Sequence, residues 1–202
     1  MRILPHLGHT EEDSFGYTTV MRKLGLLIII ALLALPIFSS GFLSTLAYAP
    51  SGYFAFSHYA DELPMRTSMA HTVSVEPLGY QHGPISASTH LHYRAVTPSI
   101  PWGSYQARGF TSIGVGARLA YHLTPRFAIT AEGGIQYNWY NAIEWAFISF
   151  WAGTGIEYSI YQNPNSDLAI ILPITVDLRK EVTGITIGLG ARWSFDPALG
   201  GW

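Results

Sequence analysis

Ile113-Gly114-Val115-Gly116-Ala117-Arg118-Leu119-Ala120-Tyr121-His122, the link Leu123-Thr124-Pro125-Arg126, and then Phe127-Ala128-Ile129-Thr130-Ala131-Glu132-Gly133-Gly134-Ile135-Gln136-Tyr137-Asn138-Trp139 read as two long strands joined by a turn. In the first, Ile113, Val115, Ala117, Leu119 and Tyr121 alternate with Gly114, Gly116, Arg118, Ala120 and His122. In the second, Phe127, Ile129, Ala131, Gly133, Ile135, Tyr137 and Trp139 oppose Thr130, Glu132, Gly134, Gln136 and Asn138. A period of two sends successive side chains to opposite faces of a strand. One face is aliphatic or aromatic, and the other collects glycine, amides and charge. Strands this long with a continuous greasy face suit a wall in lipid better than a sheet in water.

The same alternation recurs on both sides of this hairpin. Downstream, Ile185, Ile187, Leu189, Ala191, Trp193 and Phe195 share a face. Leu168, Ile170, Leu172, Ile174, Val176 and Leu178 share another, as do Ile148, Phe150, Ala152, Thr154, Ile156, Tyr158 and Ile160. Asn163-Pro164-Asn165 is a turn between the last two. Upstream, Ile85, Ala87, Thr89, Leu91, Tyr93 and Ala95 alternate with Ser86, Ser88, His90, His92 and Arg94; Thr72 to Gly79 and Tyr53 to Tyr59 complete the set. The count is eight, an even number, as single-chain bacterial barrels require. The fold class expected is therefore all-β, an eight-stranded antiparallel up-and-down transmembrane β-barrel behind an N-terminal signal peptide.

An even count puts both termini on the periplasmic side. Turns at Tyr80–Pro84, Leu123–Arg126 and Tyr161–Ser166 then face the periplasm, and Ala60–Met69, Thr97–Arg108, Asn141–Glu144 and Lys180–Thr183 face outside. Tyr121, Phe127, Tyr158, Trp193 and Phe195 fall near the periplasmic rim, with Tyr93, Tyr137 and Trp139 near the outer one. Two girdles are what amphipathic rings at two interfaces should produce.

Composition agrees. Of 202 residues, 12% are charged, against about 25% in ordinary soluble domains. The formal net charge of −2 leaves no basic excess to attract nucleic acid. The absence of cysteine excludes disulfides, thiolate catalysis, cysteine zinc sites and lipoprotein acylation. Met21-Arg22-Lys23 ahead of the apolar run Leu24–Leu35, then Pro36 and the small residues Ser39, Ser40 and Gly41, have the grammar of a secretory signal. The expected division is 21–47 signal peptide, cleaved after Ala47, and 48–202 barrel. Residues 1–20, with Glu11, Glu12 and Asp13, precede a complete signal and are expected to be a non-native extension from a misassigned start.

The inward positions carry the candidate site. Glu76, Glu132, Glu157 and Asp177 balance Arg94, Arg118, Arg179 and Arg192. Hairpin arithmetic sets Arg118 opposite Glu132, so a buried ion pair is expected there. Such pairs either compensate charge in a polar interior or act as a gate. Pro173 falls inward in mid-strand, where its missing N–H predicts a bulge or bend. His90-x-His92 puts two imidazoles on one face, but register brings neither to a third ligand, and no metal is expected. No Ser/His/acid trio converges and no glycine-rich loop opens a helix, so the chain is expected to be no enzyme and to hold no cofactor.

The last strand, Gly188-Leu189-Gly190-Ala191-Arg192-Trp193-Ser194-Phe195, with the eight-strand layout, resembles the OmpW family of outer-membrane proteins. The hairpin Ile113–Arg118 and Leu123–Ala128 resembles that family too, and the chain is similar to a spirochaetal member over roughly residues 50–195. The resemblance implies a barrel passing small hydrophobic molecules, with Trp151, Ile171 and Pro173 as its apolar path. Two features depart from it: Asp196–Trp202 continues past Phe195, and the lumen is highly charged. The expectation is a porin-like channel in the bacterial outer membrane, or else a closed structural or surface-recognition barrel. Expected partners are outer-membrane lipid, the outer-membrane assembly machinery, a small hydrophobic ligand and host molecules at the extracellular loops, with no nucleic acid.

Overall fold

A computed structural model describes residues 44–57, 66–98, 109–140, 146–163, 166–179 and 182–195. Residues 1–43, most of the long connections and the 196–202 tail lie outside the described residues, and with them the expected extension and leader. Ten strands follow in order: β1 Ser44–Ser57, β2 Arg66–Glu76, β3 Gly79–His82, β4 Ile85–Val96, β5 Phe110–Thr124, β6 Phe127–Tyr140, β7 Ala146–Asn163, β8 Ser166–Leu178, β9 Val182–Gly188 and β10 Gly190–Phe195. Each pairs antiparallel with its neighbours, and β1 closes the sheet by pairing with both β9 and β10. β2 and β3 are two lengths of one stave, as are β9 and β10, so the barrel has eight staves. The up-and-down barrel expected from the alternation is the fold observed.

Parity sorts the side chains as the sequence requires. Val115, Leu119, Ile135, Phe150, Ile174 and Leu189 are exposed on the outer wall. Arg94, Arg118, Gln136, Glu157, Asp177 and Arg192 are buried within. A water-soluble protein does not display an apolar belt around its whole girth. Lipid is the solvent this surface fits.

Two strand starts differ from the expected ones. β1 begins at Ser44 instead of Tyr53, and β2 begins at Arg66 instead of Thr72. Thr45, Ala47, Ala49, Ser51 and Tyr53 are buried while Leu46, Tyr48 and Pro50 are exposed, a strand alternation hidden beneath the signal-like composition. The extra length is what closure needs: Ser44 pairs with Phe195 and Thr45 with Glu76. Between β2 and β3 the register to β4 slips by one residue, Val75 facing Leu91 but Gly79 facing Ser88. Pro77 lies at the slip, and the Leu78 carbonyl accepts the Thr89 N–H at 2.8 Å.

Pro173 makes no bulge. The β7–β8 register passes unbroken through Gly155 and Pro173, and the irregularity on β7 lies at Ser159/Tyr161. A residue's N–H points to one neighbour only, and that of Pro173 is missing on the other side. There the pairs stop at Ile171–Gly190 and resume in the same register at Ile174–Ile187. Pro50 interrupts the β1 side at the same height, between Tyr48–Ala191 and Ser51–Gly188. Leu189, flanked by the two prolines, is where β9 gives way to β10, and its N–H still reaches the Pro50 carbonyl at 3.2 Å. The turn into β4 uses Gly83 at φ 57°, a conformation glycine adopts without strain.

The mature chain is expected to keep Ser44–Ala47, because Thr45 is buried and bonded to Ser194 and Arg192. N-terminal sequencing of protein extracted from outer membranes checks this. A first residue at Tyr48 would contradict it.

Candidate functional site: a bridged lumen

The buried charges form two groups, set by which staves supply them. Nearer the termini, Glu76 of β2, Arg118 of β5, Glu157 of β7 and Arg192 of β10 meet. These are alternate staves, so the four converge from around the barrel as one transverse layer. Arg192 holds Glu76 at 3.1 Å and Glu157 at 3.2 Å. Arg118 bonds Glu157 through Nη2 and lies 3.6 Å from Glu76. Ser88 donates to Glu76 at 2.6 Å, and Thr45 accepts from Arg192 at 3.3 Å.

Nearer the loops, Arg94 of β4 donates to both oxygens of Asp177 of β8, at 2.9 and 3.1 Å. Those two staves are diametrically opposite, so this pair spans the lumen. Arg94 also donates to Thr175 at 3.0 Å, and Arg179 approaches Asp177 at 3.8 Å. Above them Tyr53, Ala70, Val96 and Phe110 form a small apolar core. The Arg179 guanidinium lies 4.3 Å from the centre of the Phe110 ring and donates to the Tyr53 hydroxyl at 2.7 Å. A Cβ at Gly184 would collide with that tyrosine ring, so only glycine leaves it room.

The expected ion pair between Arg118 and Glu132 is not formed. Their register is as derived, Arg118 facing Glu132 across β5 and β6. In so narrow a lumen, however, an arginine reaches past its neighbour to carboxylates on alternate staves. Glu132 is left with His90, whose Nδ1 is 3.6 Å from its Oε2. His92 pairs instead with Gln136 at 3.1 Å, and Gln136 and Asn138 both donate to Ser149. Trp151 packs against His90 and His92, with ring centres 5.2 and 4.9 Å away.

Trp151, Ile171 and Pro173 border one cavity of about 60 Å³, whose wall also includes Glu76, His90, Arg118 and Glu132. That is space for a few water molecules. The girdle residues face outward: Tyr121, Tyr137, Tyr158, Trp193 and Phe195 are exposed, and Tyr93, Phe127 and Trp139 are partly covered. The rings of Trp193 and Phe195 lie side by side and tilted, with centres 4.4 Å apart, near the termini. Missed by sequence reasoning were Tyr53 and Phe110 as a loop-end plug and the buried amides Gln136 and Asn138.

No protein-family model matches the chain, and no curated protein matches it in sequence. Solved structures do match in fold. Ail, the attachment invasion locus protein of Yersinia pestis, is 12% identical with a TM-score of 0.52, over 78% of this chain and 100% of that one. Ail in complex with the heparin analogue sucrose octasulfate gives 0.51, over 78% and 100% at 12% identity. Neisserial surface protein A is 17% identical with a TM-score of 0.52, over 74% and 95%. With the closed antiparallel sheet and its apolar girth, these likenesses show the fold of a small outer-membrane β-barrel.

Removing one member of a buried pair strands its partner, at a cost of about 3–5 kcal/mol. Arg118→Ala is expected to lose about that much in urea unfolding of the refolded barrel, and Glu132→Gln about 1 kcal/mol or less. A double-mutant cycle is expected to couple Arg118 to Glu157 and leave it uncoupled from Glu132. Equal coupling to both carboxylates would contradict the observed pairing.

Proposed function

We propose that this protein is a closed barrel: a rigid outer-membrane scaffold that presents its loops at the cell surface and does not conduct. The observation carrying this reading is the pair of bridges across the lumen. Glu76, Arg118, Glu157 and Arg192 tie four alternate staves together, and Arg94–Asp177 ties two opposite ones. Opening a path would separate buried charges at both levels, each separation costing several kcal/mol. The apolar positions expected to line a route for greasy solutes border a small, charge-rimmed cavity instead.

On this reading the resemblance to the OmpW family is one of strand layout, and transport of small hydrophobic molecules is not carried over with it. The partners are lipid at the wall, the assembly machinery during insertion, and surface molecules at the connections around 58–65 and 99–108.

Single-channel recording in planar bilayers tests the proposal. The wild-type barrel is expected to show no steady conductance steps, whereas removal of both partners in Arg94→Ala/Asp177→Ala takes away the bridge between opposite staves. Reproducible ohmic steps from the wild-type protein would overturn it.

A further inference from the structure

Glu132 differs from the three arginine-paired carboxylates of the lumen. Glu76, Glu157 and Asp177 each hold arginine, but among the described residues Glu132 meets only His90. The 3.6 Å between His90 Nδ1 and Glu132 Oε2 is too long for a hydrogen bond. His90 is 6% exposed, and its Nδ1 has no hydrogen-bond partner among the described residues. Trp151 Nε1 and Thr186 Oγ1, likewise buried without partners there, belong to residues bordering the same cavity. A ring nitrogen and a carboxylate oxygen thus face each other across a gap beside the cavity of about 60 Å³.

We infer that His90 and Glu132 bind one divalent metal ion of the zinc class inside the barrel. Imidazole nitrogen with carboxylate oxygen is the ligand chemistry that borderline ions such as Zn²⁺, Ni²⁺ and Cu²⁺ accept. An ion about 2.1 Å from each atom, at an angle of about 120°, spans the observed separation. Water in the adjoining cavity completes the coordination, with Trp151 and Thr186 available to orient it. The sequence drew attention to His90 with His92, but His92 is committed to Gln136 and takes no part. Both ligands are inside the closed barrel, so the ion enters as the barrel folds.

The test refolds the full membrane-extracted chain from urea into detergent with Zn²⁺ present, removes free ion, and counts bound metal by mass spectrometry. About one ion per chain is expected, falling at least about tenfold in His90→Gln and in Glu132→Gln and unchanged in His92→Gln. Heat-modified gel mobility verifies that each variant has folded. Refolding with Cu²⁺ supplies a readout that needs neither ligand substitution: the ion quenches Trp151, so Trp151→Phe loses the quenched fraction of the fluorescence. No retained ion, retention indifferent to Glu132→Gln, or quenching undiminished in Trp151→Phe would each overturn the inference. Conductance is measured separately, so failure here leaves the closed-barrel reading standing.

Discussion

Closure of the sheet governs everything else in this protein. In hydrocarbon an unpaired backbone N–H or carbonyl finds no water, so a spanning sheet must end where it began. β1 accomplishes this by pairing along its length with β2 on one side and β9 and β10 on the other. With eight staves the enclosed space is only as wide as the side chains that fill it. Inward residues therefore have one another as partners and little else. The alternate-stave layer of Glu76, Arg118, Glu157 and Arg192 is the consequence, because charges denied water must be answered within reach.

The same confinement explains where small residues and prolines fall. A Cβ at Gly114 would overlap the His92 ring, and one at Gly184 the Tyr53 ring, so bulk on one stave is matched by its absence on another. Pro50 and Pro173 are tolerated because each withholds its N–H on one side only, and both face the stave that breaks at Leu189. The wall accepts one short interruption and keeps its register across it.

The stave count, the facing of the strands and the membership of the lumen network were legible in the sequence. All three depend on local periodicity, which a strand prints directly into its residues. The partner of Arg118 was not legible, although its register to Glu132 was. Register is a property of two neighbouring strands, whereas the reach of a guanidinium across a closed lumen depends on the positions of all eight staves. The first strand was hidden for a different reason. Ser44 to Ala49 is small and apolar enough to pass as the end of a leader, and its alternation gains meaning only once Phe195 and Arg192 lie beside it.

A polar lumen is easily read as a water path, but polarity alone does not distinguish a channel from a plug. What distinguishes them is whether the polar groups satisfy one another. Arg94 and Asp177 do so across the full width, with Asp177 fully buried, and the Tyr53–Phe110 core packs on the loop side above them. Side chains fixed by reciprocal bonds gain nothing from hydration that would repay separating them. Glu132 and His90 stand out against that background, because theirs is the one carboxylate–imidazole contact among the described lumen residues left too long to be a bond. Glu76, Glu157 and Asp177 are each answered by arginine, so the coordinating capacity of Glu132 and His90 is not spent on that network.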